Sequence, residues 1–169
     1  MFSRFDRNSY RLRIMLDKHG KLCHTISELH PLSDNLKIIV SQNKIYSNNK
    51  FQYFKTTNRK LYDKEYKKYS FKNYFDIIYF NEKGELAEGS ITNIFIYKDD
   101  VISTPPLNTG ILSGIYRKHL LRNNSGIRER KLYLDDLLKA DKIVLTNSVQ
   151  GEVIVDKLFL NEFEFIEFK

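Results

Sequence analysis

Leu86-Ala87-Glu88-Gly89-Ser90-Ile91-Thr92-Asn93 sets one carboxylate among small residues just ahead of residues 91–97, a strand-like run of bulky and β-branched side chains. A second strand-like run precedes it at 75–80. The intervening Asn81-Glu82-Lys83-Gly84 has the Asn and Gly of a tight turn, so 75–80 and 91–97 read as two arms of a hairpin. Residues 101–104 continue the β pattern until Pro105-Pro106 stops it. A carboxylate in the position of Glu88 can keep a heterocyclic nitrogen protonated through a charge-assisted hydrogen bond, and it can equally be a solvated turn residue.

Upstream, Leu61, Tyr62, Tyr66 and Tyr69 recur at helical spacing with Lys and Asp between them, which predicts an amphipathic helix over 58–69. Just before it stands Tyr53-Phe54-Lys55-Thr56-Thr57. Bulky apolar neighbours can desolvate a lysine ammonium and lower its pKa, as a Schiff-base nucleophile or an α-proton base requires, although a snorkelling surface lysine has the same surroundings. Further upstream the pattern predicts a hairpin of 10–16 and 21–26 turning at Lys18-His19-Gly20, Pro31-Leu32-Ser33-Asp34 as punctuation, a short strand at 36–40, and a polar Asn/Ser/Lys stretch to residue 50 that reads as an interdomain linker.

Downstream, residues 111–122 read as a helix opening on Ser113-Gly114. Residues 134–140 read as another, with Asp135 and Asp136 at its positive end, leading into a strand at 142–146. A last hairpin, 152–155 with 158–168, is expected to turn at Asp156-Lys157. Two of these segments suit an anion. The glycines of Thr109-Gly110-Ile111-Leu112-Ser113-Gly114-Ile115-Tyr116-Arg117 leave amides open where a helix begins, and Thr146-Asn147-Ser148-Val149-Gln150-Gly151 ends a strand in hydrogen-bonding groups. Strands outnumber helices and mostly meet through hairpins, so the fold class is mixed α/β (α+β) with a largely antiparallel sheet.

Composition bounds the function. The chain has 169 residues, 41% hydrophobic and 29% charged, with seven glycines and three prolines, so one principal globular domain is expected rather than a disordered or fibrous chain. The net charge of +7 favours anionic ligands. Its basic residues are spread along the chain, the densest run being 64–72, and accompany no nucleic-acid motif, so a solvated helix face is the better account of that run. Cys23 is the one cysteine, and the chain has no apolar run long enough for a membrane span, so a reducing, cytoplasmic setting is expected, with neither membrane nor nucleic acid as a partner and no bound metal.

Taken in order, Lys55, Glu88 to Asn93, Gly114-Ile115 and Asn147-Ser148 resemble the fold-type IV, class IV aminotransferase-like pyridoxal phosphate enzymes over about 51–155. The resemblance implies pyridoxal 5′-phosphate as cofactor, with Lys55 as its Schiff-base lysine and Glu88 as the partner of the pyridine nitrogen. It also implies that the Ile115 and Tyr116 amides, the Ser148 hydroxyl and the Val149 amide hold the phosphate, and that Asn93 supports the site. It assigns no substrate-binding residue. Lys55-Thr56-Thr57-Asn58-Arg59, with Thr104-Pro105-Pro106-Leu107 and 146–151, is most similar to aminodeoxychorismate lyases fused to a para-aminobenzoate synthase subunit. That similarity implies elimination to 4-aminobenzoate and pyruvate in folate biosynthesis, a homodimer, and a para-aminobenzoate synthase subunit as a further partner. Amino transfer starts with the same proton abstraction and is the alternative.

Family members carry a whole α/β domain ahead of the lysine, and here 10–26 resembles only its last hairpin. Residues 1–50 are therefore expected to be a remnant of that domain with its linker, and 51–169 the cofactor-binding domain. Arg4, Arg7, Arg11 and Arg13 lie in the first part, and none matches the arginine that the family turns to the phosphate. Three readings follow: an active lyase or transaminase whose pocket is completed by a partner chain, a dimer mate or a rearranged N-terminus; a non-catalytic domain kept for binding or assembly; and a basic nucleic-acid-binding module.

Overall fold

The computed structural model describes residues 9–32 and 34–168. Two compact units make up the chain, Met1–Asp34 and Asn35–Lys169. Residues 37–40, ahead of the polar stretch that ends at residue 50, form a strand inside the second unit's sheet. Arg4 and Arg7 lie outside the described residues.

In the first unit β1 (Tyr10–Leu16) pairs antiparallel with β2 (Leu22–Glu28), Leu12 opposite Ile26 and Ile14 opposite His24. The predicted turn forms. Asp17 Oδ1 accepts the amides of His19 and Lys21, at 2.8 and 2.9 Å, and Gly20 takes the left-handed φ of 83° that favours glycine.

The second unit holds two five-stranded mixed sheets. The first runs β12 (Phe165–Glu167), β11 (Lys157–Phe159), β3 (Lys37–Val40), β4 (Asp76–Phe80), β5 (Leu86–Gly89). The second runs β10 (Gly151–Ile154), β9 (Lys142–Asn147), β6 (Asn93–Lys98), β7 (Val101–Thr104), β8 (Ile127–Glu129). Pairs β3–β4, β3–β11 and β7–β8 are parallel and the others antiparallel. Ile38, Ile78 and Leu158 of the first sheet meet Ile94, Ile96, Ile143, Leu145 and Val153 of the second in one core. Neighbours of opposite parity, Ile39, Ile77 and Tyr79, face the other way and pack with Tyr62 and Tyr69 of α1 (Lys60–Ser70). Buried on both faces, β3 and β4 read as continuous apolar runs.

Two predicted hairpins are corrected. Asn81-Glu82-Lys83-Gly84 does turn the chain, with Asn81 Oδ1 accepting the amides of Lys83 and Glu85 at 2.9 and 3.0 Å, but it returns β4 onto β5 rather than onto 91–97. After Gly89 the chain bends around the buried Asp76 carboxylate, which accepts the Ser90 hydroxyl, the Thr92 hydroxyl at 2.6 Å and the Ile91 amide at 3.3 Å, and only then enters β6 of the other sheet. Asp156-Lys157 is no hairpin turn either. Both amides donate to Leu36 O, at 2.9 and 3.1 Å, and Asp156 Oδ2 accepts the Leu36 amide at 2.6 Å, so the chain crosses between sheets and β11 runs parallel to β3. The helix expected over 111–122 is α2 (Ile115–Asn123), preceded by a 3₁₀ turn at Leu107–Thr109, a left-handed Gly110 with φ of 94°, and an extended Gly114 at its N-cap. The next helix, α3 (Leu134–Leu138), is shorter than expected, and β5 and β8 are strands that the pattern did not single out.

Candidate active site

Glu88 ends as a buried residue near the close of β5, with three polar groups on its carboxyl. The Leu112 amide donates to Oε2 at 2.9 Å, the Asn93 amide nitrogen approaches Oε2 at 3.5 Å, and the Tyr62 hydroxyl lies 3.2 Å from Oε1. Burial pushes the carboxyl up to about 8, against the Leu112 and Tyr62 hydrogen bonds and the Arg59 charge that hold it down, with Asp76 adding a like-charge push upward. Asp76 is itself fully buried and raised by burial, while the two hydroxyls and two amides it accepts draw it back. A Cβ on Gly89 would overlap the Asp76 carboxylate and the Thr92 hydroxyl, so this bend needs a glycine.

Asn93 ties Glu88 to the next element. Its amide nitrogen donates to Leu112 O at 2.9 Å, and its Oδ1 occupies the space that a Cβ on Gly114 would need. The loop before α2 is thereby lashed to the start of β6, and α2 opens with Ile115 and Tyr116, whose amides have no acceptor within the helix and no side-chain cap from Gly114. With the positive end of the dipole there, these amides suit a phosphate. The Tyr116 ring packs against Gly151, with its hydroxyl 3.5 Å from where a Cβ would sit, which puts the helix start beside the loop after β9. There Asn147 Oδ1 accepts the amides of Val149 and Gln150, at 2.9 and 2.8 Å. The Val149 amide, expected at the phosphate, is engaged within its own turn, whereas Ser148 is exposed.

Lys55 lies in a loop after the 3₁₀ turn Lys50–Tyr53. Both it and Phe54 are exposed, so Phe54 does not wall the lysine off from water as expected. The segment around it is nonetheless anchored to the Glu88 strand. Three residues before Lys55, Gln52 Oε1 is 2.9 Å from the Tyr62 hydroxyl that also meets Glu88. Four residues after it, the Arg59 guanidinium donates to Ser90 O. The structure thus brings Glu88, Asn93 and the start of α2 into direct contact, sets 147–151 beside them, and ties down both sides of Lys55.

Tyr62, Arg59, Leu112 and Asp76 are the site residues that sequence reasoning missed. A signal existed for Tyr62 alone: a phenol on the apolar face of a helix needs a hydrogen-bond partner when buried. The donor set fits pyridoxal 5′-phosphate. Glu88 is an acid whose charged form is disfavoured among its neighbours and would be stabilised by a cationic ring nitrogen, and a helix N-terminus for the phosphate stands one residue beyond the Gly114 that Asn93 holds. Among the described residues no helix is long and apolar enough to cross a membrane.

Comparison with known proteins agrees with this geometry. Residues 4–158 match the family "Amino-transferase class IV". A Thermotoga maritima protein assigned as a branched-chain-amino-acid aminotransferase is 34% identical over 97 residues, covering 55% of this chain and 35% of that protein. The aminodeoxychorismate lyase of Bacillus subtilis is 41% identical over 76 residues, covering 43% of this chain and 26% of the lyase. A crystal structure from Mesorhizobium loti, assigned as an amino-acid aminotransferase, superimposes with a TM-score of 0.80 at 30% identity over 88% of this chain and 72% of that one. The match thus spans about a third or less of those two curated relatives' lengths. Family members are pyridoxal 5′-phosphate-dependent aminotransferases and lyases. With the match extending over 155 of its residues, from 4 to 158, the chain belongs to the class IV amino-transferase family.

Proposed function

We propose that this chain holds the cofactor of a pyridoxal 5′-phosphate enzyme acting on an amine-bearing, amino-acid-like substrate, and that its reaction is the 4-amino-4-deoxychorismate lyase type, releasing 4-aminobenzoate and pyruvate. The observation that carries the reading is Glu88, a buried acid fixed by the Leu112 amide and Asn93 beside the start of α2. When bound, the cofactor supplies an electron sink for a carbanion next to the substrate nitrogen.

The chain's own residues then have separable tasks. Glu88 keeps the ring nitrogen protonated. The Ile115 and Tyr116 amides and the Ser148 hydroxyl bind the phosphate, and Asn93 keeps helix and carboxylate in register. Lys55 attaches the cofactor covalently and moves the proton at the substrate α-carbon. Lys55-Thr56-Thr57-Asn58-Arg59 supports elimination, and the similarity to the Thermotoga protein supports amino transfer as a second reading. A second copy of the chain is proposed to complete the pocket.

Incubation with pyridoxal 5′-phosphate, borohydride trapping and peptide mapping should place one pyridoxyl group on Lys55, with a near-visible absorbance that Lys55→Ala abolishes. Label spread over surface lysines, or none, overturns the proposal. Pyruvate formed without an added 2-oxo acid identifies elimination, whereas turnover that requires the acid identifies transfer.

A further inference from the structure

Tyr62 stands with one hydroxyl between two acceptors. Gln52 Oε1 is 2.9 Å away and Glu88 Oε1 is 3.2 Å away, and a phenol has a single proton to donate. With Gln52 Oε1 facing the phenol, both contacts are hydrogen bonds when Glu88 supplies a second proton. The other carboxyl oxygen, Oε2, accepts the Leu112 amide at 2.9 Å, which leaves Oε1 as the oxygen that carries it. The ring cannot swing to choose a partner. It is buried on α1, lies edge-on to Tyr79 with centroids 4.7 Å apart, and has the Arg59 guanidinium 5.1 Å from its centroid. Only the hydroxyl proton can turn.

We propose that Tyr62 is a positioning residue that couples the protonation of Glu88 to the segment carrying Lys55: its proton points to Gln52 while Glu88 is an acid and turns to Glu88 when that carboxyl becomes an anion. The turn releases Gln52, three residues before Lys55. In the loaded enzyme, a ring nitrogen that takes the Glu88 proton would therefore also loosen the lysine loop, and this part rests on the function proposed above. The groups acting on Glu88 are Tyr62 and Arg59 from the α1 side and Asp76 from β4, with Lys55 lying between Gln52 and Arg59 in the chain. Burial already favours the acid form in the protein itself, pushing Glu88 up to about 8.

The test needs no cofactor. In protein carrying carboxyl-¹³C glutamate, the Glu88 resonance, assigned by its loss in Glu88→Gln, is followed against pH. Tyr62→Phe keeps the ring contacts and removes the charge-assisted bond to the anion, which outweighs the neutral bond that the acid form loses with it, so the Glu88 midpoint should rise by about one pH unit. Gln52→Ala frees the phenol proton for the anion, so the midpoint should fall. Opposite shifts from two neighbouring substitutions are not what lost packing produces. An unmoved midpoint in either folded variant, or shifts of the same sign, overturns the proposal, and Gln52→Ala alone decides if Tyr62→Phe does not fold. If wild-type protein takes no label on Lys55 while both shifts are seen, the cofactor reading fails and the coupling stands.

Discussion

Glu88 sits where its ordinary charge is costly. Burial pushes its carboxyl up to about 8 in the folded protein, above the unfolded value near 4.3. Between those values the folded chain binds the extra proton, so this stabilising contribution is fully present below the unfolded value and is lost as pH rises through the folded one. Without cofactor, the melting temperature should therefore fall from pH 6 to pH 9, and Glu88→Gln should flatten that fall; an equal slope in the variant would contradict the assignment. The same substitution should lower turnover of the loaded enzyme by about 10²–10³-fold, the usual loss when one preorganised electrostatic partner is removed, measured as kcat under saturating cofactor.

At the scale of elements, the site depends on how tightly the loop before α2 is held against β6. Gly114→Ala would drive a Cβ into Asn93 Oδ1, and because Asn93 is hydrogen-bonded to Leu112 O it cannot move away freely. A loss of about 1–3 kcal/mol by chemical denaturation is expected, together with weaker phosphate affinity. Adding Asn93→Ala should recover part of that loss, so the double variant should fall short of the sum of the singles. The bend at 89–92 shows why the hairpin reading of 75–80 with 91–97 failed. The turn chemistry of Asn81 to Gly84 was legible, but strand identity was assigned from β-branched and aromatic enrichment, and Leu86-Ala87-Glu88-Gly89 has too little of it to register as a strand. What redirects the chain is a carboxylate at Asp76, ten or more residues upstream, whose hydroxyl partners look in sequence like ordinary turn residues. Asp156-Lys157 misled similarly, since its partner, Leu36, is distant in the chain.

For the whole molecule, stability is concentrated where the two sheets share a core. Leu145→Ala removes a fully buried side chain there and should cost about 2–5 kcal/mol, read from the denaturation midpoint. The net charge of +7 should speed capture of a phosphorylated cofactor, so the association rate measured by stopped flow should fall as salt rises while label stays on Lys55. The sequence by itself determined the residue types and their order: Lys55 ahead of an amphipathic helix, Glu88 and Asn93 five residues apart, glycines before α2, a polar loop after β9. Those are local features, set by periodicity, turn chemistry and side-chain type within a few residues. Only the tertiary structure decided which strands pair, that residues 37–40 belong to the second unit's sheet, that the Val149 amide is already engaged, and that Tyr62, Leu112 and Asp76 close around Glu88. These outcomes rest on burial and on hydrogen bonds between residues far apart in the chain, where the cost of a buried polar group without a partner selects one arrangement that no local pattern encodes.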